Sequence, residues 1–299
     1  MCTSRNSLGS SLDLGAQFIS RSSILTSFQE RCYEELLEVG ILKPLPQVIE
    51  GLKSTSAVTE HYICPKGSGS IIKHFLKPID GEILFGHKVI KVFSSNNKWR
   101  VICDNNSTQE FDAVIFTIPV PQILQIEGLT SYISNDELEK LKMVQYSSRF
   151  AVGLFYDKSD SFFQNLPWIA KFISDNPVLR FCSFDNQKRG DDHSTPTVVF
   201  HSTKEFGKKN IDNDLHTVQK LFFEKIEELL PNIPKANDVK FHKWRYSQVE
   251  NAYPGATGSL VISNQPLLIA GGDGFSYSTF EGCIMSAEEI VQRVTTHLK

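Results

Sequence analysis

The sequence lacks the patterns that mark several classes of protein. Its 31 Lys and Arg against 34 Asp and Glu give a net charge of -3, without the basic stripe that nucleic-acid binders carry. Its eight histidines are scattered, and they form neither an HExxH motif nor a Cys/His spacing typical of zinc sites. These gaps argue against a nucleic-acid partner and against a bound metal.

Cysteine and long apolar runs are also scarce. The 299 residues include six cysteines with no CxxC pair, so we expect thiols that are mostly reduced and buried. No run approaches the roughly 18 to 20 apolar residues of a membrane span. Polar residues follow Met1 where a signal peptide would have its apolar core. We therefore expect a cytoplasmic protein without a membrane partner.

What the sequence does contain is a hydrophobic fraction of 40%, enough for one large domain or two smaller ones. Apolar residues at helical spacing predict helices at 24–40 and 214–229, and Ser134 as an N-cap predicts a helix at 134–145. β-Branched and aromatic runs between turn-forming residues predict six strands, at 88–93, 98–103, 111–117, 149–156, 178–184 and 197–203. The first three form a β-meander, and the continuously apolar run 111–117 is typical of a strand buried on both faces.

The most informative segment begins at Pro266. An apolar strand runs into the glycine-rich turn 271–274, and a helix follows whose N-terminus we place near Gly282 or Cys283. Glycines let a ligand lie against the backbone, and Asp273 can accept hydrogen bonds from ribityl or ribose hydroxyls. Free N–H groups at the helix start suit negative charge, such as that on a reduced isoalloxazine ring. A tight turn with a surface acid is the alternative, because the turn is not a GxGxxG fingerprint.

Segments along the whole chain resemble those of the renalase family, within the flavin amine-oxidase superfamily. They are Asp13-Leu14-Gly15-Ala16-Gln17, Ser70-Ile71-Ile72-Lys73-His74, Pro119-Val120-Pro121-Gln122-Ile123-Leu124-Gln125, Tyr146-Ser147-Ser148-Arg149, Gly153-Leu154-Phe155-Tyr156, Lys243-Trp244-Arg245, Ser247-Gln248-Val249, Gly271-Gly272-Asp273-Gly274-Phe275 and Gly282-Cys283-Ile284.

The resemblance implies a non-covalently bound FAD and the oxidation of dihydronicotinamide isomers to NAD(P)+, with electrons passed to O2 as hydrogen peroxide. Such a reaction needs no catalytic protein nucleophile, because hydride moves directly between rings that the protein stacks and orients. The resemblance also implies secretion as an alternative to the cytoplasm. The implied flavin-binding residues are Gln17, Phe18, Val89, Gly272, Asp273, Cys283 and Ile284. Covalent attachment through the cysteine, as in monoamine oxidases, is disfavoured because the local sequence does not match theirs.

A substrate pocket is expected around Trp244, whose indole can form a wall. Arg245 or Arg180 can bind substrate phosphates, and His201 with Asn186 can bind the carboxamide. Each has a structural alternative: Trp244 can be core packing, and His201 can be a hydrogen-bonded residue of a sheet.

The expected fold is α/β (α+β) with two domains. An FAD domain with a mixed sheet and helices takes residues 1–20, 62–125 and 262–299, and a substrate domain with an antiparallel sheet takes 21–61 and 126–261. The family opens with a strand, a GxGxxG turn and a helix under the FAD pyrophosphate. The sequence contains no GxGxxG, so we expect weak FAD binding by the chain as written. An amine oxidase and a non-catalytic binding or signalling protein are the alternatives.

Overall fold

A computed structural model describes residues 3–47, 49–53, 57–158, 161–164, 167–191, 195–255 and 257–297. The chain forms two compact units, Met1–Ile79 with Ser147–Ser247 and Asp80–Tyr146 with Gln248–Lys299. Each unit combines helices with β-sheets, so the expected α/β class is confirmed.

Strands and helices alternate along the described residues. The strands are β1 (Thr3–Arg5), β2 (Ser11–Asp13), β3 (Ile19–Ser22), β4 (Lys43–Pro44), β5 (Val58–Ile63), β6 (Val89–Ser95), β7 (Lys98–Cys103), β8 (Thr108–Phe111), β9 (Ala113–Phe116), β10 (Gln145–Phe155), β11 (Ala170–Phe172), β12 (Leu179–Phe184), β13 (Thr197–Ser202), β14 (Asp238–Asn251), β15 (Ser259–Asn264) and β16 (Leu267–Gly271). The helices are α1 (Ser27–Glu38), α2 (Gly69–Leu76), α3 (Val120–Ile123), α4 (Asn135–Lys142), α5 (Ser161–Gln164), α6 (Asp185–Lys188), α7 (Lys204–Asn210), α8 (Leu215–Leu229) and α9 (Phe280–His297).

The first unit is built on a five-stranded sheet in the order β11-β12-β13-β10-β14. One face of this sheet is covered by α8, which begins after the N-cap Asp214 and buries Val218, Phe222 and Ile226. The helix predicted at 214–229 is therefore confirmed. The same unit holds a hairpin of β1 with β2 and a small sheet in the order β3-β5-β4.

The second unit contains two three-stranded sheets, β6-β7-β8 and β15-β16-β9. The predicted meander is confirmed for β6 and β7, but the apolar run 111–117 does not form its third strand. That run divides at Asp112: β8 ends at Phe111 and completes the meander, whereas β9 pairs in parallel with β16 in the other sheet.

The expectation that run 111–117 is buried on both faces is wrong. In the described residues β9 has β16 as its only strand neighbour, and the side chain of Ile115 is 44% exposed. Phe116 packs into the core of the unit. The run is therefore continuously apolar although only part of the strand is buried.

Three expectations concern cysteines, membranes and metals. The five described cysteines form no disulfide; Cys32, Cys64, Cys103 and Cys182 are buried, whereas Cys283 is exposed and Cys2 lies outside the described residues. Among the described helices, none combines the length and the apolar composition that a bilayer crossing demands. Within the same residues, no group of three or more His, Cys, Asp or Glu side chains is arranged to hold a metal ion.

The compact units do not follow the expected division by function. Residues 1–20 and 62–79 belong to the first unit, although we assigned them to the FAD domain, and 126–146 and 248–261 belong to the second unit. The units are defined by packing and not by cofactor binding, so the functional division stays a prediction.

Replacing Phe222 by Ala is expected to lower the free energy of unfolding by about 3 to 5 kcal/mol, because the ring is fully buried between α8 and the sheet. Urea unfolding followed by circular dichroism measures this loss. The control is Leu221→Ala on the same helix, where the side chain is 42% exposed and the expected loss is below about 1 kcal/mol. Equal losses in the two variants would contradict the packing of α8 described here.

Candidate functional site

One face of the five-stranded sheet carries a row of side chains from four neighbouring strands. Phe172 lies opposite Phe181, Phe181 opposite His201, and His201 opposite Ala151. Side chains alternate between the faces of a sheet, so this row lies on the face away from α8. The ring centres are 5.1 Å apart for Phe172 and Phe181 and 5.9 Å apart for Phe181 and His201. The row is a partly aromatic floor in which Phe172 and His201 are half-buried, whereas Phe181 and Ala151 are buried beneath other core residues.

A loop after β2 joins three of the predicted site residues by hydrogen bonds. The side-chain nitrogen of Gln17 lies 3.5 Å from Nε2 of His201 and donates to the carbonyl of Gly15 at 3.1 Å. The Leu14 carbonyl accepts from Nε1 of Trp244 at 2.9 Å and also bonds to the His201 ring. The structure therefore brings Gln17, His201 and Trp244 together through one short loop.

Four buried charges support this loop, and sequence reasoning missed them. Nζ of Lys188 lies 2.6 Å from Asp185, and the Arg189 guanidinium lies 2.6 Å from Asp185 and 2.8 Å from Asp13. All four side chains are at most 5% exposed. Buried ionic residues are rare unless they are paired. Their signal in the sequence is a charged turn of helix directly after the apolar strand β12.

Of the four buried charges, Lys188 matters most for the site, because its Nζ also donates to Oε1 of Gln17 at 2.8 Å. Burial of the His201 ring, together with the positive charges of Lys188 and Arg149, lowers the pKa of His201 to about 3. His201 is therefore a neutral imidazole near pH 7.

The remaining predicted residues of the first unit are more dispersed. Phe18 is half-buried and packs edge-on against His61, with ring centres 5.3 Å apart, in the cluster that contains Phe181. The exposed Arg180 guanidinium lies 4.8 Å from the ring centre of Phe172. Arg245 is also exposed, and it forms an ion pair with Asp212 at 2.5 Å.

The side chain of Asn186 bonds to Thr197, and none of its hydrogen bonds within the described residues reaches the His201 ring. Its Oδ1 accepts from the Thr197 N–H at 3.1 Å, and its own N–H donates to Oγ1 of Thr197 at 3.2 Å. The residue is buried and fastens α6 to the start of β13, four positions before His201. A carboxamide-binding role for Asn186 stays a prediction without a contact in its favour.

In the second unit, the parallel strands β9 and β16 end at the same edge of their sheet, because Ala270 lies opposite Phe116. Gly272 follows with φ 106°, a conformation that favours glycine, and donates to Oγ of Ser286 at 2.7 Å. The half-buried Asp273 accepts from Oγ of Ser278 at 2.7 Å. Ligands of α/β sheets bind outside the carboxyl ends of parallel strands, which is where this carboxylate lies.

The start of α9 differs from the expectation. The helix begins at Phe280, two residues before Gly282. The N–H of Gly282 donates to Oγ1 of Thr279, and the N–H of Cys283 donates to the Thr279 carbonyl, both at 3.1 Å. The N–H groups that we expected to be free at Gly282 and Cys283 therefore have protein partners, because Thr279 caps the helix.

The glycines of the turn also act differently from the expectation. A Cβ added to Gly271 would lie 2.5 Å from the Ile290 side chain, and one added to Gly274 would lie 2.5 Å from the Tyr146 hydroxyl. These two glycines make room for protein atoms and not for a ligand. The turn thus fits the hydroxyl-binding part of a flavin site through Asp273, and does not supply an open glycine cradle.

Three further residues of the predicted flavin site lie in the second unit. Val89 is half-buried at the start of β6, opposite Cys103, and packs on the core of the unit. Ile284 is buried in the first turns of α9, whereas Cys283 is exposed. Although the residue as a whole is exposed, partial desolvation of its sulfur and the nearby Asp273 carboxylate raise the thiol pKa of Cys283 to about 11, so the thiol is not activated as a nucleophile.

Alkylation of Cys283 by iodoacetamide is expected to be slow at pH 8 and to accelerate as the pH rises towards about 11, because only the thiolate reacts. Removing the neighbouring negative charge by Asp273→Asn lowers the thiol pKa and speeds the reaction at pH 8 about threefold or more. Peptide mapping by mass spectrometry measures the rate at this cysteine. Asp112→Asn, at an exposed acid of the same unit, is the control with an unchanged rate; a rate unaffected by Asp273→Asn would rule out the coupling.

Comparisons with known proteins show the family of this chain. A family model described as flavin containing amine oxidoreductase matches residues 43–295. The renalase of Mus musculus is 39% identical over 283 residues, which cover 94% of this chain and 82% of that protein.

Solved structures show the same fold at low identity. A candidate protoporphyrinogen oxidase from Exiguobacterium sp. 255-15 matches 80% of this chain with a TM-score of 0.61 and 13% identity. An oxidoreductase from Methanosarcina mazei matches 78% with a TM-score of 0.55 and 14% identity. The chain spans 52% and 56% of the length of these two structures. From the family match and the identity to mouse renalase, the chain belongs to the flavin-containing amine oxidoreductase family, in which it is a renalase-like flavin oxidoreductase.

Proposed function

We propose that this chain uses non-covalently bound FAD to oxidise dihydronicotinamide dinucleotides whose extra hydrogen is at the 2 or 6 position, releasing NAD(P)+ and hydrogen peroxide. The observation that carries this proposal is the neutral His201, held beside Gln17 and Trp244 on an aromatic sheet face. The likeness to mouse renalase supports the choice of substrate class. Bound flavin would supply the hydride acceptor and the subsequent reduction of O2.

The tasks left to the protein are stacking, orientation and exclusion of water. The half-buried Trp244 offers a flat apolar surface for a nicotinamide ring, and the buried Phe181 supports His201 from the neighbouring strand. Both residues are positioned by regular structure: Phe181 by its pairing with His201 across the sheet, and Trp244 by its hydrogen bond to the Leu14 carbonyl. Side chains fixed in this way hold a substrate ring in one orientation, which is the main requirement for hydride transfer.

The charge state of His201 also suits this chemistry. Loss of hydride turns a neutral dihydronicotinamide into a positively charged pyridinium ring. A protonated imidazole near that ring would oppose the charge that develops in the transition state, whereas a neutral imidazole does not. The low pKa of His201, about 3, keeps the ring neutral near pH 7.

Two arginines differ in how well they can bind the substrate phosphates. The Arg180 guanidinium is exposed and stacked on Phe172, at the edge of the aromatic floor. Arg245 is held by Asp212 in a short ion pair, which raises the pKa of the arginine and engages its donors. We therefore assign phosphate binding to Arg180.

For the flavin, Asp273 would accept hydrogen bonds from ribityl hydroxyls, and Cys283 and Ile284 would contact the pyrimidine side at the start of α9. Gln17, Phe18 and Val89 keep the flavin-contact roles that the resemblance implies. Oxidation of an amine, which the name of the family suggests, is the second possibility for the same cofactor.

The proposed activity predicts that the chain, assayed in excess FAD, releases hydrogen peroxide with the 2- and 6-dihydro isomers of NAD. Ordinary NADH and primary amines should give rates at least about tenfold lower, because only the isomers place the hydride at the reacting position. Peroxidase-coupled fluorescence measures the rate. Excess FAD keeps weak cofactor binding from concealing activity. Preference for amines would establish the second possibility, and a flavin-loaded chain inactive with all these substrates would contradict the proposal.

Arg180→Ala is expected to raise KM for a dihydronicotinamide dinucleotide about tenfold, because a charge-assisted bond to phosphate is lost. The same variant should bind the corresponding riboside, which has no phosphate, as well as the unchanged protein does. Arg245→Ala is the matched comparison and should change either KM less than about threefold. Steady-state kinetics with both substrates distinguishes the two arginines, and an equal effect of Arg180→Ala on the riboside would exclude phosphate binding.

A further inference from the structure

We propose that Ser278 is a positioning residue for the flavin: it holds the carboxylate of Asp273 in the orientation in which that group binds the ribityl chain. This inference rests on the proposed function, because it extends the ribityl-binding role given there to Asp273. The residues that carry it all lie within the second unit.

The first observation is the direction of the hydrogen bonds at the Ser278 hydroxyl. Its oxygen accepts from the Val249 N–H at 2.7 Å, and its proton is donated to Oδ2 of Asp273, also at 2.7 Å. A backbone N–H can only donate, and a carboxylate oxygen can only accept. The N–H near the end of β14 therefore turns the Ser278 proton away from the strand and towards Asp273.

The other oxygen of the carboxylate is held more loosely. Oδ1 of Asp273 accepts from the Tyr146 hydroxyl at 3.4 Å. Burial of that hydroxyl, together with the charge of Asp273, raises the pKa of Tyr146 above its usual range, so the phenol keeps its proton. A distance of 3.4 Å is long for a hydrogen bond between oxygens, whereas 2.7 Å is typical of a strong bond to a carboxylate. The orientation of the carboxylate therefore depends mainly on Ser278.

The two hydroxyls leave part of the carboxylate available to a ligand. A carboxylate has about four lone-pair sites, and the Ser278 and Tyr146 hydroxyls take one on each oxygen. Asp273 is only half-buried, so the remaining sites can accept from the hydroxyls of a ribityl chain. Since the side chain is already held, a ligand that binds to it does not have to restrict its rotation.

The loop that carries both residues is closed by a second serine. The Ser276 N–H donates to the Asp273 carbonyl at 3.1 Å, and the Ser276 hydroxyl donates to the Gly282 carbonyl at 2.8 Å. Both bonds end on backbone carbonyls and not on the carboxylate. Ser276 therefore holds the backbone between the turn and α9, whereas Ser278 orients a side chain, and the two serines can be distinguished by experiment.

The test compares Ser278→Ala with Ser276→Ala in the full chain. The probes are riboflavin and lumiflavin, which share one ring system, but lumiflavin has a methyl group in place of the ribityl chain. Each protein is titrated into a fixed low concentration of either flavin, and the change in flavin fluorescence gives Kd even where binding is weak. The ratio of the two Kd values measures the contribution of the ribityl chain, and a general loss of folded protein does not alter it.

We expect the unchanged chain to bind riboflavin at least about tenfold more tightly than lumiflavin. Ser278→Ala should weaken riboflavin binding about five- to tenfold and lumiflavin binding less than about twofold. Ser276→Ala should lower the midpoint of urea unfolding, because the Gly282 carbonyl loses its donor, yet keep the ratio of the two Kd values within about twofold. Ser278→Gly removes the same hydroxyl and serves if Ser278→Ala does not fold.

A double-mutant cycle tests whether Ser278 acts through Asp273. In an Asp273→Ala background, Ser278→Ala should change the Kd of riboflavin less than about twofold, because the carboxylate that it orients has been removed. A direct contact of Ser278 with the flavin would instead preserve the full effect of the substitution in that background.

Equal weakening of both flavins by Ser278→Ala, or an undiminished effect in the Asp273→Ala background, would overturn the proposal. So would an unchanged chain that binds the two flavins equally well. A chain that shows the expected ratios but releases no hydrogen peroxide with dihydronicotinamides would refute the proposed function alone. A chain that binds neither flavin would refute both.

Discussion

The arrangement of the first unit depends on the need to neutralise four buried charges. Asp13 ends β2, Asp185 and Lys188 belong to α6, and Arg189 follows that helix; all four side chains are at most 5% exposed. Removal of such charges from water costs several kcal/mol each unless partners compensate them. The pairs therefore hold the loop against α6 in a single register. The position of Gln17, four residues after Asp13, follows from that constraint.

The polar network and the sheet register together explain how a site can be built from side chains that are far apart in sequence. The register places His201 beside Phe181, and the loop supplies the amide of Gln17 and the carbonyl of Leu14, which also holds Trp244. The result is a neutral, partly aromatic surface. A flavin oxidoreductase whose substrate becomes positively charged on oxidation benefits from such a surface, since no fixed positive charge on His201 opposes the product.

Local patterns predicted those parts of the fold that local interactions determine. The helix at 214–229 was found from its apolar spacing, and the helix at 134–145 from its Ser134 N-cap, which the structure confirms as α4. Run 111–117 was misassigned because period and composition do not reveal that a chain changes sheets at Asp112. The start of α9 was placed too late, because the cap Thr279 lies before the apolar pattern begins.

The sequence by itself determined the family and the fold class, and it pointed to the candidate residues Gln17, His201 and Trp244, because motifs and periodicity are local properties of the chain. Only the tertiary structure decided how these residues act. It packed Ile290 against Gly271 and Tyr146 against Gly274, and it placed Lys188 beside Gln17. Both outcomes depend on contacts between residues far apart in sequence, and the energy of such contacts is fixed by burial and charge pairing, which no local pattern encodes.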